Sequence, residues 1–169
     1  MAVYISITLF CDVFLIAPQS GIPGKVLFQE EDAPTLYCNL SDGPEHLGHQ
    51  IRQAERYSRN FADLNLKYPK GIMAMLSKKR IRQHSKVSEM TGIKLNQLHK
   101  FDQSMSLDYE NGEIFLRFLK RAEDEKFNYR STNKNKADEP RIPDTCSDLE
   151  LGQKIFDWVA TLNEANFSS

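Results

Sequence analysis

A glycine at position 92 divides the segment 87–101 into two stretches that each have the apolar spacing of a short helix. The apolar side chains that would pack between the two helices are Val87, Ile93, Leu98 and Phe101. Glycine adopts the positive φ of a tight turn without steric cost. Two short helices joined by such a turn form a helix-turn-helix, so this segment constrains the fold more than any other.

Positive charge is concentrated in residues 66–100, although the whole chain carries a formal net charge of −1. That segment holds nine lysines and arginines and a single acid, Glu89. An uneven distribution of this kind is typical of a surface that binds a polyanion. A run of lysines is also common on a solvated helix face, so the charge alone does not choose between these interpretations.

The N-terminal third predicts a small α+β unit. Residues 2–17 alternate between apolar and polar side chains, as a strand does. They contain Asp12 and lack a basic leader, and they are too short to span a bilayer. Two further β-like runs at 25–29 and 35–40 follow turn-rich segments, which predicts a three-stranded antiparallel meander.

A helix is predicted to follow the meander. Pro44 and Glu45 suit the first turn of a helix of about twenty residues. Its apolar stripe would cover the sheet and consists of Leu47, Ile51, Ala54, Phe61 and Leu64. The segment 67–71, with a proline and a glycine, is the expected end of this unit. The first domain is therefore predicted over residues 1–66.

The rest of the chain is predicted to be mainly helical. Residues 67–127 would form the helix-turn-helix domain, with a first helix from Ile72 that breaks at 83–85 and a closing helix over 108–127. Residues 128–147 are rich in Asn, Lys, Asp and Pro and are interpreted as a linker. Residues 148–169 regain helical spacing. That amphipathic helix would dock on the N-terminal unit or on a second copy of the chain.

The segment 72–120 resembles the lambda-repressor-like class of phage and bacterial helix-turn-helix regulators. The likeness lies in the spacing within the motif, in Asp102-Gln103-Ser104 after it, and in the apolar residues from 114 to 119. It implies that a second helix, 94–102, lies in the DNA major groove. Residues on that helix would contact DNA, and cations on the preceding helix would contact phosphates. The predicted DNA-binding residues are Lys94, Leu95, Asn96, Gln97, His99, Lys100, Lys78, Lys79, Arg82 and Lys86.

Other groupings of reactive side chains are weaker evidence for a functional site. Glu45, His46 and His49, with Cys38 nearby, have types that bind metal, but a surface histidine pair is the simpler interpretation. Three widely spaced cysteines do not suggest a disulfide framework and favour a reduced, cytoplasmic setting. The sequence has no motif of a catalytic or phosphate-binding site. We therefore predict no enzyme activity, no catalytic residue, no metal and no cofactor.

The main hypothesis from sequence is a cytoplasmic, sequence-specific regulator of transcription that binds double-stranded DNA. Two recognition helices bind more tightly than one, so the hypothesis includes a homodimer. No membrane association is expected. The alternative is a protein-binding inhibitor such as an antitoxin, an immunity protein or a phage-encoded modulator, with a protein as its partner. It is motivated by acidic residues in the N- and C-terminal parts.

Overall fold

The computed structural model describes residues 3–22, 27–121, 129–131 and 139–167 of the 169-residue chain. Within these ranges, eight strands form one antiparallel sheet, and helices cover both of its faces. The strands are β1 (Val3–Phe10), β2 (Val13–Gly21), β3 (Leu27–Phe28), β4 (Leu36–Asn39), β5 (Asp102–Glu110), β6 (Glu113–Arg121), β7 (Tyr129–Ser131) and β8 (Arg141–Pro143). The helices are α1 (Pro44–Glu55), α2 (Ile72–Thr91) and α3 (Asp148–Phe167), with 3-10 helices at Leu40–Asp42 and Leu95–Lys100.

The centre of the sheet joins distant parts of the sequence. β1 pairs with β2 on one side and with β5 on the other, and β6 follows β5. The outer edge of β2 is paired with both β3 and β4, and the outer edge of β6 with both β7 and β8. Because β1 bonds to β5, strands from both sides of the predicted boundary at residue 66 share one sheet.

The two faces of the sheet differ in chemistry. Successive side chains of a strand point to opposite faces, so Ile5 and Ile7 of β1 lie on one face and Ser6 and Thr8 on the other. The first face packs against α1 and α3, and the main core lies there. The second face packs against α2 and the 3-10 helix Leu95–Lys100 through a smaller cluster: Phe10, Leu15, Ala17, Val87 and Leu98.

Two glycines let α1 and α3 approach very closely. A Cβ atom added at Gly48 would lie 1.8 Å from the backbone oxygen of Asp148. One added at Gly152 would lie 1.7 Å from the backbone oxygen of Pro44. Each helix therefore meets the backbone of the other at a position where no side chain fits.

The structure corrects the predicted N-terminal meander. The single strand expected over 2–17 is in fact the hairpin β1–β2, which turns at Cys11 and Asp12. Cys11 has a φ of 55° there. β3 and β4 pair with β2 instead of with each other. The predicted topology was wrong because the alternation continues through Cys11 and Asp12, with no glycine or proline to mark the turn between β1 and β2.

The predicted helical domain after residue 67 is also wrong. α2 continues through 83–85 and ends at Gly92, whose φ is 74°. The expected second helix is only the six-residue 3-10 helix Leu95–Lys100. Residues expected in the closing helix form β5 and β6, which are joined by Asn111 and Gly112 with φ of 52° and 82°. Positive φ at both positions is the geometry of a type I′ hairpin. Residues 122–127 of that predicted helix lie outside the described residues.

α1 and α3 begin where the sequence places them. α1 starts with Pro44 in its first turn, but it ends at Glu55 and is shorter than expected. α3 begins at Asp148 and packs on α1, so its apolar stripe lies within this chain. The predicted linker 128–147 includes β7 and β8, and its residues 132–138 lie outside the described part. Among the described helices, each is too short or too polar to cross a lipid bilayer.

Candidate functional site

A cleft of about 430 Å³, lined by both apolar and polar side chains, opens between α2 and the second face of the sheet. Its floor comes from β1 and β2, and one wall comes from α2. The polar lining residues are Ser6, Thr8, Gln19, Gln29, Lys79, Arg80, Gln83, His84, His99 and Asp102. A pocket with several convergent polar and titratable side chains is a natural candidate for a binding site.

The cleft exists because small polar side chains occupy the middle of the second face. The register pairs Ser6 with Ser106 and Thr8 with Ser104, and the hydroxyls of Thr8 and Ser104 lie 3.1 Å apart. Such side chains offer a helix little apolar surface to bury. α2 therefore packs beside them, over Phe10 and Leu15, and leaves a gap.

Lys79 fixes α2 to the loop that follows β3. Its ammonium donates to the backbone oxygens of Glu30, of Glu31 at 3.1 Å and of Ala33 at 2.5 Å. Burial lowers the pKa of Lys79, and the charge of Arg82 lowers it further. Three carbonyl acceptors compensate for the desolvation of the charge. Lys79, a predicted phosphate contact, is only 7% exposed and serves to attach the helix.

A glutamine pair makes a second attachment of α2. The side-chain nitrogen of Gln83 donates to Oε1 of Gln29 and, at 2.8 Å, to Oγ1 of Thr35. Gln29 in turn donates to the backbone oxygen of Pro34 at 2.8 Å. The two bonds from Gln83 span sequence separations that no local motif predicts, and they hold one wall of the cleft in place.

His84 lines the cleft. Its ring meets the ring of Phe10 edge to face, with centroids 5.7 Å apart. Burial lowers the pKa of His84, and Arg80 lowers it further, whereas Asp102 acts in the opposite direction. The neutral imidazole is therefore the form that the folded chain favours.

We expect His84 to make the fold less stable in mild acid. A histidine with a lowered pKa in the fold takes up a proton more readily when unfolded, so the free energy of unfolding falls as the pH drops below about 6.5. The measurement is urea unfolding at several pH values between neutral and pH 5. The pH dependence should weaken in His84→Gln and persist in His99→Gln, the variant of an exposed cleft histidine. An unchanged pH profile in His84→Gln would contradict this assignment.

An ion network continues the polar face on β5 and β6. Arg117 Nη1 lies 3.0 Å from Oδ2 of Asp108, and its Nε donates to Oε1 of Glu139 at 2.8 Å. The hydrogen bond with Glu139 raises the pKa of Arg117, although burial acts in the opposite direction. The Glu139 side chain is only 3% exposed. A carboxylate so buried needs its guanidinium partner.

The predicted DNA-binding residues occupy two elements. Lys78, Arg82 and Lys86 are exposed on α2, and all six predicted residues from 94 to 100 are exposed around the short 3-10 helix. His99 also lines the cleft. The recognition helix that was to carry Lys94, Asn96 and Gln97 into a groove is missing from this part of the structure. Their contact with DNA stays a prediction.

The outer side of α2 combines cations with an exposed apolar side chain. Ile81 is 59% exposed there, and Met73, in the first turn of the helix, is 72% exposed. The exposed cations on the same helix are Lys78, Arg80, Arg82 and Lys86, with Glu89 as the one acid. On the opposite layer, exposed Glu45, Glu150 and Asp157 make α1 and α3 more acidic. The molecule thus presents two helical layers of different charge.

Several site residues were not among the sequence predictions. Gln83 was interpreted as part of a helix break, and Arg117 as part of a helix. Asn111 and Gly112, between two alternating apolar runs, are the sequence signal that could have identified the β5–β6 hairpin. That hairpin places Arg117 beside Asp108. No comparable signal marks Glu139.

Comparison with known proteins shows a shared fold. No protein-family model matches the sequence, and no curated protein matches it. A protein of unknown function from Neisseria meningitidis, NMB0488, is similar with a TM-score of 0.71 and 16% sequence identity, over 90% of each chain. A chain of the CdiA-CT/CdiI toxin and immunity complex from Yersinia pseudotuberculosis is similar with a TM-score of 0.72 and 15% identity, over 90% of this chain and 92% of that one. At this level of identity the likeness concerns the fold.

Proposed function

We propose that this chain is a protein-binding inhibitor of the immunity type, which neutralises a partner protein by covering its functional surface. The observation that carries the proposal is the likeness in fold, along nearly the whole chain, to a chain of a toxin and immunity complex. The match covers 90% of this chain. This likeness favours a protein-binding inhibitor, the alternative hypothesis from the sequence, over a transcription regulator.

The outer side of α2 supplies a surface suited to a protein partner. Interfaces between proteins combine apolar anchors with a polar and charged rim. Ile81 is an exposed apolar side chain on this surface, and Lys78 and Arg82 are exposed within one turn of it. Lys79 and Gln83 attach the same helix to the body of the protein. A surface held in place before binding loses less entropy on association.

The first experiment identifies the partner and its effect. The full chain is purified from its native host, and proteins that co-purify in equal amounts are identified by mass spectrometry. Each is then expressed with and without this chain. We expect one partner that stops growth when expressed alone and is harmless when this chain is co-expressed. Salt-dependent binding to random-sequence duplex DNA, without any partner of this kind, would overturn the proposal in favour of a nucleic-acid ligand.

A pair of matched variants then tests the surface. Ile81 is 59% exposed on α2, and Leu149 is 50% exposed on α3. We expect Ile81→Asp to weaken binding of the identified partner about tenfold or more, as truncating an interface anchor does. Leu149→Asp, which is matched in type and exposure, should leave the affinity unchanged. Isothermal titration calorimetry gives both values, and the opposite ranking would place the interface on the α1–α3 layer.

A further inference from the structure

Three metal-binding side chains converge where β4 leads into α1. Cys38 lies on β4, Asp42 ends the 3-10 helix Leu40–Asp42, and His46 is the third residue of α1. Their ligand atoms, one from each residue, all lie within 4.8 Å of one another. We propose that Cys38, Asp42 and His46 bind a divalent metal ion of the zinc type.

Local backbone geometry brings the three residues together. They are spaced four residues apart along the chain. The 3-10 helix Leu40–Asp42 places Asp42 just after the end of β4. Gly43, with a φ of 88°, then turns the chain into α1. His46 then comes one turn into the helix. Because the whole span is short, the arrangement depends on few distant contacts.

The donor set and its dimensions suit zinc. Thiolate, imidazole and carboxylate are its usual ligands, at bond lengths of about 2.0–2.3 Å, which in a tetrahedron separates the ligand atoms by roughly 3.3–3.7 Å. Asp42 and His46 are exposed, so small rotations of their side chains can close the gap around the buried Cys38. Three protein ligands leave a fourth position for water or another ligand.

Neighbouring groups already orient one of the ligands, Asp42. Asp42 Oδ2 accepts hydrogen bonds from the backbone nitrogen of Asn39 at 2.8 Å and from its side-chain nitrogen at 3.3 Å. These two bonds hold the Asp42 carboxylate in place beside Cys38. Such supporting bonds fix ligand orientation in metal sites.

The site differs from the grouping that the sequence suggested. His49 does not join it, since its Nδ1 lies 3.2 Å from Oδ2 of Asp148 on α3. Asp42 supplies a ligand that the sequence grouping lacked. Burial and the nearby Asp42 raise the pKa of the Cys38 thiol to about 12, so a metal ion must displace a proton from it on binding.

Titration of the tag-free full chain with Co²⁺ tests the proposal. We expect one equivalent to bind, with a thiolate-to-cobalt charge-transfer absorption that Zn²⁺ abolishes by competition. Cys38→Ser should remove this absorption. His46→Gln and Asp42→Asn, both at exposed positions, should weaken binding by at least about tenfold without unfolding the core.

Matched controls make the outcome decisive. His49→Gln changes an exposed histidine on the same helix, and Cys11→Ser removes an exposed thiol. Both should bind Co²⁺ as the unaltered chain does. No charge-transfer absorption, an absorption that survives in Cys38→Ser, or an unchanged Co²⁺ affinity in His46→Gln would overturn the proposal. Because the assay needs no protein partner, its result is separate from that of the proposed inhibitor function.

Discussion

Replacing Gly152 with alanine is expected to lower the free energy of unfolding by about 3 kcal/mol, an overpacking effect at the upper end of the usual range. In an exposed helix the same change would stabilise the protein by about 1 kcal/mol. Here the new Cβ would lie 1.7 Å from the backbone oxygen of Pro44. A backbone atom cannot rotate away as a side chain can, so α1 and α3 must separate and expose part of the main core.

Urea unfolding followed by circular dichroism measures this effect. Gly48→Ala should behave like Gly152→Ala, because its Cβ would meet the backbone of Asp148 from the other side. Gln153→Ala, at the neighbouring exposed position of α3, is the control and should stay within about 0.5 kcal/mol of the unaltered chain. If Gly152→Ala were more stable than the unaltered chain, the close helix crossing would be refuted.

Replacing Arg117 with methionine is expected to cost about 3–5 kcal/mol, as removal of one partner from a buried ion pair does. Arg117 is the partner of both Asp108 and Glu139. The side chains of these acids are 12% and 3% exposed. Methionine keeps the length of the side-chain stem but offers no donor. The variant therefore removes the guanidinium that the two poorly solvated carboxylates share.

A double-mutant cycle separates lost pairing from lost packing. Glu139→Gln in the Arg117→Met background removes the more buried of the two charges. We expect the double variant to recover part of the lost stability, with a coupling energy of about 1–3 kcal/mol. Arg141→Met with Glu113→Gln is the control cycle, since that pair is 54% and 43% exposed and should show about 0.5 kcal/mol of coupling or less. Equal coupling in both cycles would contradict the role given to Arg117.

The helix-turn-helix prediction failed because the same apolar residues fit both the spacing of a helix and the alternation of a strand. Apolar residues at 114, 115, 118 and 119 fit a helical stripe, but those at 114, 116 and 118 also alternate as in a strand. Asn111-Gly112 favours the hairpin, and β6 is fixed as a strand by its pairing with β5, which in turn pairs with β1. Gly92 does end a helix with a positive φ. A helix end with the right glycine is common to many folds, so this residue alone was weak evidence for a DNA-binding motif.

The candidate site likewise combines features that the sequence predicts with features that depend on tertiary contacts. Exposure of the cations on α2 follows from their place in a polar run of the sequence. Lys79, which belongs to the same run, is buried. The run does not predict this burial, because it depends on the backbone oxygens of residues 30–33. The polar face of the sheet arises only when Ser6 and Thr8 meet Ser106 and Ser104.

The sequence by itself determined the features that depend on neighbours a few residues apart. These include the start of α1 at Pro44, the end of α2 at Gly92 and the amphipathic helix from Asp148. Tertiary structure decided the pairing of β1 with β5 and the contact of α3 with α1 at Gly48 and Gly152. Local torsional preferences and capping bonds are encoded within a turn or two of chain. Strand partners and helix crossings are chosen by burial summed over the whole core, which no short window of sequence contains.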